Sequence, residues 1–106
     1  MVTEADVRAL ALALPGVTER PHFNRAAFKA RVIFATLGNG TVNLKLVPEQ
    51  AAMLIEAEPE TFLSLGGWTR QGYVGVRLDR IDATRLDMLL RDAWRNGAPK
   101  GATLPD

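Results

Sequence analysis

Hydrophobic residues recur along this chain with two periods, and the alternation between them lays out its elements. Val7, Leu10, Ala11 and Leu14 stand at i, i+3, i+4 and i+7, one stripe of an amphipathic helix. Ahead of the stripe, Thr3 and Asp6 match a capping box, and Pro15-Gly16 stops the helix after about three turns. From Val17 to Phe23 the pattern weakens, and Pro21 points to an edge strand or an extended loop. Ala26 to Leu37 reads as β, ending in a run from Val32 to Leu37 that is apolar on both faces and belongs near the middle of a sheet. A tight turn at Lys29-Ala30-Arg31 would split this region into two strands, although the expected glycine is missing. Gly38-Asn39-Gly40 tolerates positive φ and marks a hairpin. On the return strand Val42, Leu44 and Leu46 point one way and Thr41, Asn43 and Lys45 the other.

Pro48 suits the first position of a second helix, and Glu49 complements its N-terminus. Ala51, Ala52, Leu54 and Ile55 form its apolar side. It ends before Pro59, with Glu60-Thr61-Phe62-Leu63 as an extra turn leading into a glycine-rich stretch. There Gly66-Gly67 allows a turn before Trp68. Val74, Val76 and Leu78 then alternate with Tyr73, Gly75 and Arg77, as in a half-buried strand. Gly75 is expected to face outward between the Tyr73 ring and the Arg77 guanidinium, leaving room for a flat ligand. Asp82 caps a last helix, Ile81 staples it to Leu86, and Leu86, Leu89, Leu90, Ala93 and Trp94 form its stripe up to Asn96-Gly97.

The order is α-β-β-β-α-β-α without a repeated βαβ unit. Hairpins imply antiparallel pairing, and three amphipathic helices need one sheet face to bury against. The expected fold is an α+β two-layer sandwich whose open face displays Asn43, Lys45, Tyr73 and Arg77. Both tryptophans are expected in the core, Trp94 as part of a helical stripe and Trp68 straddling core and surface.

A length of 106 residues holds one domain, read as 1–97, followed by a polar tail over 98–106. The chain has no cysteine, so disulfides, thiolate metal sites and cysteine nucleophiles are excluded. The beginning lacks the pattern of a signal peptide and no stretch is apolar enough to span a membrane, so a cytoplasmic protein is expected, its oligomeric state left open with a monomer favoured. Net charge is +1, but its distribution is uneven. Between Pro15 and Pro48, Arg20, Arg25, Lys29, Arg31 and Lys45 face Glu19 alone, whereas Glu49, Glu56, Glu58 and Glu60 follow without a base up to Gly67. Such a surface is polarised.

Catalytic chemistry finds little support. His22 is the only histidine, without acids at ligand spacing, and reads as a structural, hydrogen-bonded residue. Ser64 is the only serine and sits outside any nucleophile elbow. Neither glycine cluster has the spacing or lysine of a phosphate loop. The chain is expected to be non-catalytic, with no metal and no cofactor.

Taken together, Glu19-Arg20-Pro21-His22-Phe23, Phe28-Lys29, Ile33 to Leu37, Asn43-Leu44-Lys45-Leu46, Gly67-Trp68 and Gly72-Tyr73 resemble the MmcQ/YjbR family. That resemblance implies an α+β fold similar to the iron-binding frataxin homologue CyaY, and a "double wing" DNA-binding label that rests on fold analogy. Two positions depart from the pattern: Ala30-Arg31-Val32 lacks a glycine at the wing tip, and Tyr73 replaces a second tryptophan. Iron is not implied for this chain, because its first helix offers only Glu4 and Asp6. The leading expectation is therefore a DNA-binding domain of low sequence specificity. Its contacts would be Arg25, Lys29 and Arg31 on a basic hairpin, with Lys45, Tyr73 and Arg77 on the open sheet. The alternative is a module that binds an anionic small molecule or protein partner through Arg20, His22, Lys45 and Trp68.

Overall fold

A computed structural model describes residues 2–97, so the tail expected over 98–106 lies outside the described residues. Helix α1 (Glu4–Leu12) begins at the Thr3 capping box, with the Thr3 hydroxyl accepting from Asp6 N and the Asp6 carboxylate from Thr3 N. Four strands follow: β1 (Thr18–His22), β2 (Arg25–Lys29), β3 (Ile33–Gly38) and β4 (Thr41–Lys45). Then come α2 (Pro48–Ala57), β5 (Phe62–Ser64), a 3₁₀ helix over Gly66–Gln71, β6 (Tyr73–Arg77) and α3 (Ala83–Gly97). Asp82 Oδ1 caps α3 by accepting from Arg85 N at 2.8 Å. The strands make one antiparallel sheet in the order β1-β2-β3-β4-β6-β5.

The two-layer α+β sandwich stands, with two strands more than the hydrophobic pattern indicated. The Ala26–Leu37 region divides at Lys29-Ala30-Arg31-Val32, and the missing glycine has a physical reason. The turn is held from outside: Gly97 O, at the end of α3, accepts from Arg31 N at 2.7 Å and Val32 N at 3.0 Å. A helix-terminal carbonyl that would otherwise lack a partner thus fixes the turn. The second addition is β5, where an extra helical turn was expected. Phe62 N and Thr61 N both bond Glu58 O as α2 ends, and Phe62–Ser64 then pairs with Val76–Val74.

Period-2 alternation decides which face each strand residue takes. Ala26, Phe28, Ala35, Leu37, Val42, Leu44, Val74, Val76 and Phe62 lie in matched register on the face covered by the helices. The register slips between Phe28 and Lys29, which leaves Phe34 without an opposite residue on β2. This bulge lets Phe34 and Ala35 both be buried, which accounts for a run that looked apolar on both faces. Trp94 is 1% exposed, and its indole N–H donates to Pro15 O at 2.9 Å, tying α3 to the end of α1. Among the described residues no helix is long and apolar enough to cross a membrane.

Candidate binding site on the open face of the sheet

The opposite face carries the alternate residues of the same strands, in three rows set by the register. One row holds His22, Arg25, Thr41 and Arg77; the middle row holds Arg20, Ala27, Thr36, Asn43, Gly75 and Leu63. The third holds Thr18, Lys29, Ile33, Lys45 and Tyr73. Five of these residues are cations and none is an aspartate or glutamate. Glu19, the one acid of β1, takes the other face and bonds Arg8 Nε at 2.9 Å.

The cations do different things. Arg25, expected to contact phosphate, is engaged within the fold. Its Nε donates to Thr36 Oγ1 at 3.1 Å, Nη1 to Gly38 O at 3.0 Å, and Nη2 to Thr36 O and Thr41 O, each at 2.9 Å. It closes the β3–β4 hairpin, and burial pushes its guanidinium below the ordinary value, with Glu4 opposing. Nor do Arg25, Lys29 and Arg31 form one cluster. Arg25 and Lys29 stand at opposite ends of β2, about 13 Å apart at the rise of an antiparallel strand. Arg31 lies in the β2–β3 turn, exposed beside Lys29. Lys45 and Tyr73 are register partners on the face, and Arg77 ends β6, exposed. Of the alternative set, His22 and Trp68 border one cleft, whereas Arg20 and Lys45 stand outside it.

That cleft, of about 570 Å³, sits over the centre of the open face. Thr36 and Asn43 form its floor, with Ile33 beside them; His22 and Phe23 make one wall, and Leu65, Trp68 and Tyr73 the other. Small side chains in the middle row create the depression, and aromatic rings raise its sides. The His22 and Phe23 rings meet edge-on at 4.9 Å between centroids, and Trp68 and Tyr73 at 5.8 Å. Phe23 is 94% exposed and Trp68 61% exposed, so Trp68 is not the core residue its sequence context implied. The reason is the 3₁₀ helix, which turns the indole away from the helices. Its start is held by Thr69 Oγ1, which accepts from Leu65 N at 2.8 Å, and its end by Gly72 at φ 102°. Gly72 admits no side chain, because a Cβ there would fall 2.0 Å from Leu46 O.

Gly75 departs from expectation in a second way. It faces the open side but is buried, because Leu63, Leu65 and the Asn43 side chain close over it; a Cβ would lie 3.2–3.4 Å from all three. The room for a flat ligand is therefore one strand over, above Asn43 and Thr36. Phe23, Leu65, Ile33 and Thr36 were absent from the sequence-based site. The usable signal was Phe23-Asn24 between the extended segments on either side, a two-residue loop closed by the His22–Arg25 pair. Among the described residues no group of histidines and carboxylates could hold a metal ion.

The YjbR family model matches residues 12–96 of the chain. A crystal structure of a Deinococcus radiodurans protein with the family-model domain DUF419 is 26% identical. It superposes with a TM-score of 0.81, covering 97% of this chain and 83% of that one. No curated protein matches the sequence.

Proposed function

The chain belongs to the YjbR family, and we propose that its open sheet face is a non-catalytic, sequence-tolerant binding surface for a nucleic-acid strand in the cytoplasm. One observation carries the reading: a face built from six strands displays Arg20, Arg25, Lys29, Lys45 and Arg77 without a carboxylate. With Arg25 engaged internally, Arg20, Lys29, Lys45 and Arg77 remain, set apart on β1, β2, β4 and β6 of the same face. A compact anion needs donors that converge on one point, which these do not. An extended chain of phosphates suits charges set apart, with aromatic rings between them for its bases. Generic phosphate contact with no base-reading helix gives low sequence specificity.

The test is a titration of a labelled single-stranded oligonucleotide, followed by anisotropy between 50 and 200 mM salt. Four phosphate contacts predict a slope of about −3 in log affinity against log salt. Absence of binding, or a slope shallower than about −1, would overturn the proposal in favour of a compact anion.

A further inference from the structure

Phosphate binding leaves the cleft itself without a purpose, and it is the most elaborately built part of the open face. We infer that it holds one unstacked nucleobase of the bound strand, clamped between Phe23 and Trp68, with its edge read by the Asn43 amide. The inference rests on the nucleic-acid reading above and assigns the ligand chemistry of that same face.

Phe23 is the first argument. It occupies the first position of a two-residue hairpin loop at φ 56°, where glycine is preferred and a bulky side chain is strained. At 94% exposure the ring returns almost no burial, and its contact with His22 is edge-on. Neither turn chemistry nor packing accounts for phenylalanine there. Strain kept by an exposed apolar ring is what a ligand clamp requires.

Trp68 supplies the second ring. It is exposed across the cleft on a short helix whose two ends are pinned, and Tyr73 braces it edge-on, so the indole is positioned before anything binds. Between the rings lies Asn43, on the central strand β4. Its side chain packs against Gly75, with Oδ1 3.3 Å from where a Cβ there would lie. A carboxamide presents one acceptor beside one donor, matching the paired donor and acceptor on a base edge. Duplex bases cannot use such a site, since both faces are stacked and the edge is paired. A protein side chain would also fit an apolar cleft, but the surrounding sheet face, with cations and no carboxylate on its strands, favours a ring carried on an anionic backbone.

The experiment compares four ligands: a single-stranded oligonucleotide, its duplex, an abasic deoxyribose-phosphate chain of equal length, and a nucleoside monophosphate. The parent protein should bind the single strand on the order of 10-fold or more tightly than the duplex or abasic chain. Phe23→Gly should reduce that preference to within about two-fold, with abasic binding, the salt slope and the melting temperature not lowered. Asn43→Asp offers two acceptors in place of a donor–acceptor pair, so among homopolymers the ranking should move toward guanine, whose N1–H and N2–H are adjacent donors. Single-strand preference that survives Phe23→Gly overturns the clamp while leaving phosphate binding intact. An unchanged base ranking in Asn43→Asp overturns the role of Asn43. If no polyanion binds, the function proposed above fails, and the mononucleotide then decides the cleft. Shifts of the Phe23, Asn43 and Trp68 NMR signals would uphold it, and their absence would end it.

Discussion

The two faces of this sheet are written in alternate residues of the same strands, yet they hold their polar and apolar groups by opposite means. On the covered face Val42, Leu44, Val74 and Val76 have neighbours on every side, and the one indole there has its N–H bonded to Pro15 O. On the open face the large apolar rings are in water, while the most involved polar group, Arg25, is committed to carbonyls and hydroxyls of its own hairpin. The covered face is therefore where removal of atoms costs stability. On the proposed function, the open face is where removal costs recognition, with Arg25 as the exception.

Four experiments press on that division, ordered by their effect on folding. Phe28→Ala, on the covered face, should cost about 3–5 kcal/mol through lost burial and an unfilled cavity. Urea denaturation should show it, while the folded fraction keeps its affinity for single strands. Arg25→Met crosses the boundary: although on the open face, it should cost about 2 kcal/mol, because three carbonyl groups lose charged donors in a part-buried setting. The salt slope should not change, and a flatter slope would show that Arg25 contacts phosphate after all. The triple substitution of Lys29, Lys45 and Arg77 by alanine should move the melting temperature little, as expected at exposed sites. It should flatten the slope by about two units.

The smallest effect is on the acid limb. Thr3 hydrogen bonds hold the Asp6 carboxyl below its ordinary 3.8, and the Arg85 guanidinium holds Glu58 below 4.5. A carboxyl depressed in the folded state stabilises fully above its unfolded value and loses that contribution as pH falls through the folded one. Between about pH 5 and pH 2, Arg85→Met should therefore make the melting temperature less dependent on pH, whereas open-face substitutions should leave that dependence alone.

What could be read in advance follows the same division. The helices, the β3–β4 hairpin and the burial of Val74 and Val76 are legible because they depend on periods and caps within one segment. The β2–β3 turn was harder, since its amides are satisfied by Gly97, about 65 residues away in sequence, and such closure leaves no local mark. Strand β5 escaped because three residues carry too little alternation to compete with a helical pattern. For the site, Tyr73, Lys45 and Arg77 came from alternation and do share a face. The cleft did not, because its walls come from a strained turn and a 3₁₀ helix that only the tertiary fold brings together. Arg25 looked like any surface arginine, and only the hairpin carbonyls around it show otherwise.

The contrast between Trp68 and Trp94 also has an optical consequence. The chain has two indoles, one in water at the cleft and one 1% exposed with its N–H bonded. Their emission should separate, with Trp94 to the blue and insensitive to iodide, and Trp68 to the red and readily quenched. Occupancy of the cleft would then dim the red component alone, and unfolding would shift the blue one. A single unlabelled cuvette can follow ligand and fold at once, with Trp68→Phe as the control that silences the first signal and leaves the second.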